Sequence, residues 1–286
     1  MEIGVQTFCT DQTMNPAQWA KSLEERGFDT LMLPEHPHVP IARSTPYPDA
    51  YGGGSIPDSY KRPFDPFVAA SYALANSSTL KVGTGICLLA FRDPIVTAKA
   101  IASLDVLSGG RFLFGVGFGW NVDEFASHGQ EFKHRHAVVR EKIGAMKSLW
   151  RDEEASYSGK YVHIEPSWIY PKPVQNPHPP ILVGGNGPVA MRHAIEWGDF
   201  WYPTPPAEDK HLDASVPLLR QMAEKAGRDP QSIGIGVGAA SPDEDSLAAY
   251  LKAGVQYVNF RLHAKSPSDQ LRDLDDCVRV RDAVMS

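Results

Sequence analysis

The chain holds 286 residues, with 28 Lys+Arg against 34 Asp+Glu, so its formal net charge is −6. A hydrophobic fraction of 42% and a charged fraction of 22% exclude a wholly disordered chain. The acidic balance leaves no basic stripe for nucleic acid, and the length suits two ordinary domains or one large α/β barrel.

No apolar run reaches the roughly 18 residues that a membrane-spanning helix needs. The N-terminus has no basic stretch ahead of an apolar one, so no secretory signal is expected. Cys9, Cys87 and Cys277 are scattered and odd in number. They make no disulfide framework, which points to the cytoplasm.

In chain order, strands are predicted at residues 3–8, 30–33, 81–86, 112–117, 181–183, 200–202, 233–237 and 257–260. Helices start where a cap precedes proline: Asn15-Pro16, Asp65-Pro66, Asp93-Pro94, Gly187-Pro188, Ser241-Pro242 and Ser266-Pro267. Ser241 and Glu244 read as a capping box, and Gly27 and Gly254 as helix ends. This β/α alternation predicts a closed (β/α)8 TIM barrel, one domain over residues 1–286. An open doubly wound sheet competes, but its first strand would lead into a glycine fingerprint that is missing here.

Two insertions interrupt the alternation, at about residues 37–63 and 151–180. The first carries Tyr47, Tyr51, Tyr60 and the triplet Gly52-Gly53-Gly54, and follows the second strand. A stretch of that length at the C-terminal face of a barrel reads as a lid. The second contains a predicted short strand at residues 160–165.

Candidate site residues fall at strand ends. Glu35-His36 closes the second strand, where an acid and a histidine can face a ligand. His36-Pro37-His38 could be a metal pair, but the fifth and sixth strands end without histidine, so no metal is expected. Two glycines in Gly83-Thr84-Gly85-Ile86-Cys87 mark a bulge or a ligand pressed against backbone. Trp120 and Asn121 follow the fourth strand. Gly184-Gly185-Asn186-Gly187 turns into a proline-started helix, a place where unpaired N–H groups would bind phosphate. His128, His134 and His136 lie in a charged stretch that reads as a solvated face.

In order, Leu33-Pro34-Glu35-His36, Gly83-Thr84-Gly85, Arg92-Asp93-Pro94, Ser108-Gly109-Gly110-Arg111, Gly115-Val116-Gly117, Trp120-Asn121, Pro171-Lys172-Pro173-Val174-Gln175 and Gly184-Gly185-Asn186-Gly187 resemble the bacterial-luciferase-like family. The series is most similar to its coenzyme F420-dependent branch. The resemblance implies a deazaflavin ring at the barrel mouth among strands two to four, against Gly85, Ile86, Cys87, Trp120 and Asn121. It places the phosphate on Gly184, Gly185, Asn186 and Gly187, and a non-proline cis peptide at Gly85-Ile86. His36 would pass a proton to or from a small organic substrate, with Glu35 fixing its tautomer or the ring's polar edge. Some members carry a catalytic Glu where this chain has Trp120, so sugar-phosphate oxidation is not implied. FMN is the alternative cofactor, in a monooxygenase fed by a partner flavin or F420 reductase. A non-catalytic flavin-binding protein and a metal-dependent hydrolase are the readings from other classes. A homodimer is the assembly the resemblance implies.

Overall fold

The computed structural model describes residues 1–49, 53–263 and 265–285. Tyr51 and Gly52 of the predicted lid lie outside the described residues. The barrel strands are β1 (Glu2–Gln6), β2 (Thr30–Leu33), β3 (Lys81–Cys87), β4 (Phe112–Val116), β7 (Ile181–Gly184), β8 (Phe200–Tyr202), β9 (Gly234–Ala240) and β10 (Tyr257–Arg261). They close in the order β1-β10-β9-β8-β7-β4-β3-β2, all neighbours parallel. The predicted barrel is the observed one. The second insertion folds as an antiparallel hairpin of β5 (Ala155–Ser158) and β6 (His163–Ser167), shifted from the predicted strand.

The helices are α1 (Pro16–Glu25), α2 (Pro66–Ala75), α3 (Pro94–Ser108), α4 (Val122–Ser127) and α5 (Arg135–Arg151). They continue with α6 (Gly187–Trp197), α7 (Ser215–Lys225), α8 (Glu244–Lys252) and α9 (Pro267–Met285). None is long and apolar enough to cross a membrane. Asn15, Asp65 and Asp93 each accept N–H groups of the helix they open, contacts worth about 0.5–2 kcal/mol apiece. The box expected at Ser241 does not form. Asp243 caps α8 instead, accepting the Ser246 N–H, because the turn at Pro242 delays the helix.

Strand alternation separates two cores. Met32, Leu113, Leu182, Tyr202 and Tyr257 fill the lumen with Ile86 and Phe200. Their neighbours in sequence join the larger shell between barrel and helices. Two motif segments serve this scaffold rather than the mouth. Arg111 donates to the carbonyls of Leu74, Leu80 and Ser108. Buried Asp105 accepts from the Val174 and Gln175 backbone and from the Gln175 amide.

Candidate active site

Glu35 and His36 leave β2 in sequence, and the two-residue period sends them to opposite sides. Glu35 turns outward. Its carboxylate, 1% exposed, accepts from the Leu88 N–H at 2.7 Å and from Arg92 Nε at 2.7 Å. Arg92 also pairs with Asp65, and these carboxylates outweigh burial and raise the guanidinium's pKa. The expectation that Glu35 fixes the His36 tautomer therefore does not hold.

That contact belongs to Glu124, in the first turn of α4. The His36 Nδ1 lies 3.0 and 3.2 Å from the two Glu124 oxygens, with both side chains buried. Read as a donor to the carboxylate, Nδ1 carries the ring proton and Nε2 has the lone pair. Nε2 has no partner among the described residues. Tyr60 and Trp120 pack around the ring, their centroids 5.0 and 5.9 Å away. Described residues of the 37–63 loop pack beside the His36–Glu124 pair. Ser44 and Thr45 dock on Asp123, and Tyr47 bonds Tyr60 and packs on Trp120.

At the end of β3 the Gly85–Ile86 peptide is cis, as the resemblance implies, and the register with β4 shifts between Thr84 and Cys87. Gln6 Nε2 holds the Gly85 carbonyl at 2.7 Å. A Cβ at position 85 would sit 2.8 Å from Met32 Cβ, so the close approach to β2 requires glycine. Below Gln6, the Tyr202 hydroxyl lies 2.9 Å from Asn259 Oδ1 and 3.2 Å from Gln6 Oε1. Asn259 in turn donates to Thr30. Behind the bulge, Lys142 of α5 donates to the carbonyls of Leu89, Ala90 and Arg92. Burial pushes its pKa down to about 8.

Ile86 lies in the lumen, close to Gly117 and Gly184. Cys87 is the next residue and points the other way. It is fully buried in the outer shell, where burial first and Glu35 second raise its pKa. Its thiol therefore faces away from the mouth, which removes the side chain, though not the backbone, from the expected ring contacts. Asn121 caps α4 through Oδ1, while its buried Nδ2 has no partner among the described residues.

Gly184 ends β7, and Asn186 opens α6 without a side-chain bond to it. Asn186 Oδ1 instead accepts from the Thr204 N–H, and the Gly185 carbonyl accepts from Trp201 Nε1. Gly185 has φ +122°, a conformation other residues rarely adopt. Gly185 and Asn186 are exposed, the Gly185 N–H reaches the Tyr202 carbonyl at 3.4 Å, and no side chain caps the first α6 turn.

Glu124, Gln6 and Tyr202 escaped the sequence reading. Glu124 had a local signal, an acid in the first turn of a helix capped by Asn121; Gln6 and Tyr202 had none. The three histidines are not a solvated face. His128 stacks on Phe91, His134 bonds Tyr161, and His136 packs on Phe118 and His193. Burial is the main reason that the His136 pKa falls to about 4.

The sequence profile of the family described as luciferase-like monooxygenase matches residues 10–276. An uncharacterized protein of Mycobacterium tuberculosis is 40% identical over 276 residues, which is 94% of each chain. An F420-dependent glucose-6-phosphate dehydrogenase of Gordonia bronchialis is 32% identical over 222 residues, 75% of this chain and 60% of that protein. The coenzyme F420 dependent tetrahydromethanopterin reductase of Methanopyrus kandleri shares the fold. Its TM-score is 0.71 at 17% identity, with 99% of this chain and 97% of that one covered.

Proposed function

This chain belongs to the luciferase-like monooxygenase family, and from that membership we propose that it is an oxidoreductase working with coenzyme F420. One observation carries the reading. The mouth holds a buried, carboxylate-held imidazole, His36 on Glu124, with Nε2 left open beside the aromatic wall of Trp120. The likeness to an F420-dependent glucose-6-phosphate dehydrogenase supports the cofactor.

The residues present fit such a group. Asn121 Nδ2 is a buried donor awaiting an acceptor, and α6 has no side-chain cap. Gly184, Gly185, Asn186 and Gly187 would hold the phosphate on backbone N–H groups. Gly85, Ile86, Trp120 and Asn121 would border the ring. Deazaflavin, when bound, supplies hydride transfer in a single two-electron step. The chain's own part is proton handling and orientation. As a substrate carbon loses hydride, the proton on its hydroxyl passes to His36 Nε2; in the opposite direction the same nitrogen returns it. Glu124 holds the ring so that Nε2 presents its lone pair. Tyr47 and Tyr60, packed beside His36 and Trp120, exclude water.

We place the protein in the cytoplasm as a homodimer, the second copy covering Val68, Tyr72, Val96 and Leu107 on the exposed faces of α2 and α3. Sedimentation in solution tests that assembly. The family's name favours a second cofactor reading, an FMN-dependent monooxygenase supplied by a reductase. Fluorescence titration separates the two. F420 should bind more tightly than FMN; tighter FMN binding with oxygen-dependent turnover would replace the deazaflavin reading.

A further inference from the structure

A cavity of about 440 Å³ opens at the C-terminal ends of β8, β9 and β10, away from the His36–Glu124 pair. Thr204, Ser241, Arg261, His263, Asp273 and Asp276 line it. Its position follows from alternation along β10. Tyr257 packs in the lumen, Val258 and Phe260 in the outer shell, and Asn259 bonds Tyr202 and Thr30 inside. Arg261 is the next residue on the lumen side, at the mouth. It pairs in register with Gln6 of β1, and β1 also borders β2, the strand that leads to His36.

Charge in this cavity is unevenly matched. Asp273 already has Lys265 at 2.9 Å, and Asp276 is bonded to Arg279. Among the described residues, the half-buried Arg261 side chain has neither an ion pair nor a hydrogen bond. A guanidinium is always charged and offers a planar fork of donors that matches a carboxylate. Thr204 and Ser241 bring hydroxyls to the same space, and Pro205, Pro242 and Leu262 bring apolar wall.

We propose that this cavity is a carboxylate site, with Arg261 as the recognising residue. The carboxylate comes from one of two sources, a small organic acid as substrate or the acidic tail of the cofactor. Thr204 links the cavity to the second source, since its N–H is bonded to Asn186 in the turn assigned to phosphate. As a statement about substrate class the proposal rests on the oxidoreductase reading; as a binding site it stands alone.

The test uses the full chain without cofactor, so its failure leaves the cofactor assignment untouched. Benzoate and its neutral counterpart benzamide are titrated at constant ionic strength and followed by NMR line broadening. Benzoate should bind roughly tenfold more tightly, from charge-assisted bonds alone. Arg261→Gln should abolish that preference, and Arg261→Lys should keep part of it, having the charge without the fork. Equal binding of the two probes, no saturable benzoate binding, or a preference that survives in Arg261→Gln would each overturn the proposal. A second arm compares F420 with a precursor that keeps the ring and phosphate but lacks the carboxylate-bearing tail, followed by fluorescence. If Arg261→Gln weakens only F420, the carboxylate is the tail's; if it weakens neither, it is the substrate's. Loss of the precursor as well, in a variant of unchanged melting temperature, would overturn the assignment by showing that Arg261 supports the ring.

Discussion

Replacing Glu35 by glutamine separates a structural acid from a catalytic one. In the wild type its buried carboxylate satisfies the Leu88 N–H at 2.7 Å and the Arg92 fork at 2.7 and 2.5 Å. Glutamine keeps the volume but offers one acceptor, so either the Leu88 N–H or the Arg92 Nε loses its partner in the interior. Breaking a buried ion pair costs about 3–5 kcal/mol. The loss here is smaller because Arg92 is 22% exposed and keeps Asp65. Roughly 2–4 kcal/mol remains, which corresponds to about 3–7 °C in Tm for a chain of this size. Arg92→Met combined with Glu35→Gln should cost at least about 1 kcal/mol less than the sum of the single changes, since neither charge is then left alone. Urea denaturation of the wild type and the three variants supplies the cycle, and F420 fluorescence supplies the affinity of the folded fraction. A Glu35→Gln protein as stable as the wild type, yet unable to bind cofactor, would refute this account and return Glu35 to the chemistry.

Glu124→Gln should release the His36 ring proton from Nδ1 to a mixture of both nitrogens, seen in ¹⁵N NMR of the imidazole; an unchanged tautomer would show that Glu124 does not set it. Gly185→Ala and Gly185→Asp share the backbone penalty of φ +122°, so their comparison isolates charge. Asp should weaken a phosphate-bearing cofactor about tenfold more than Ala, and equal losses would remove the turn as the phosphate site. Lys142 titrates at about 8 when folded because burial lowers its pKa. Between that pH and the ordinary lysine value the unfolded chain binds the extra proton, so wild-type stability should rise with pH relative to Lys142→Met. Urea midpoints that run parallel from about pH 7 to 10 would contradict this.

The barrel was legible because its signals are local. Each helix start at Asn15, Asp65 and Asp93 needs only a cap and a proline, and each strand only a short apolar run between turns. The turn at Gly184 to Gly187 was legible for the same reason. Roles decided by pairing across the barrel were not. Glu35 and His36 look like partners in sequence, yet the strand's period sends one outward to Arg92 and the other inward to Glu124, 88 residues away. The same alternation turns the Cys87 thiol outward, one residue beyond Ile86. Gln6 lies 79 residues from the carbonyl it holds, and nothing near it in the chain announces that contact.

The chain of hydrogen bonds from the Gly85 carbonyl through Gln6, Tyr202 and Asn259 to Thr30 draws on β3, β1, β8, β10 and β2. Burial holds the Tyr202 pKa far above its usual value, so the phenol stays a neutral donor across the physiological range. The chain divides the mouth into two parts that respond differently to sequence drift. Changing any one member strands the others' polar groups in the lumen, so these positions are expected to vary together or not at all. The loops after β2, β9 and β10 stand outside that constraint. New substrate preference in this lineage should therefore arise by exchanging rim residues over an inherited platform.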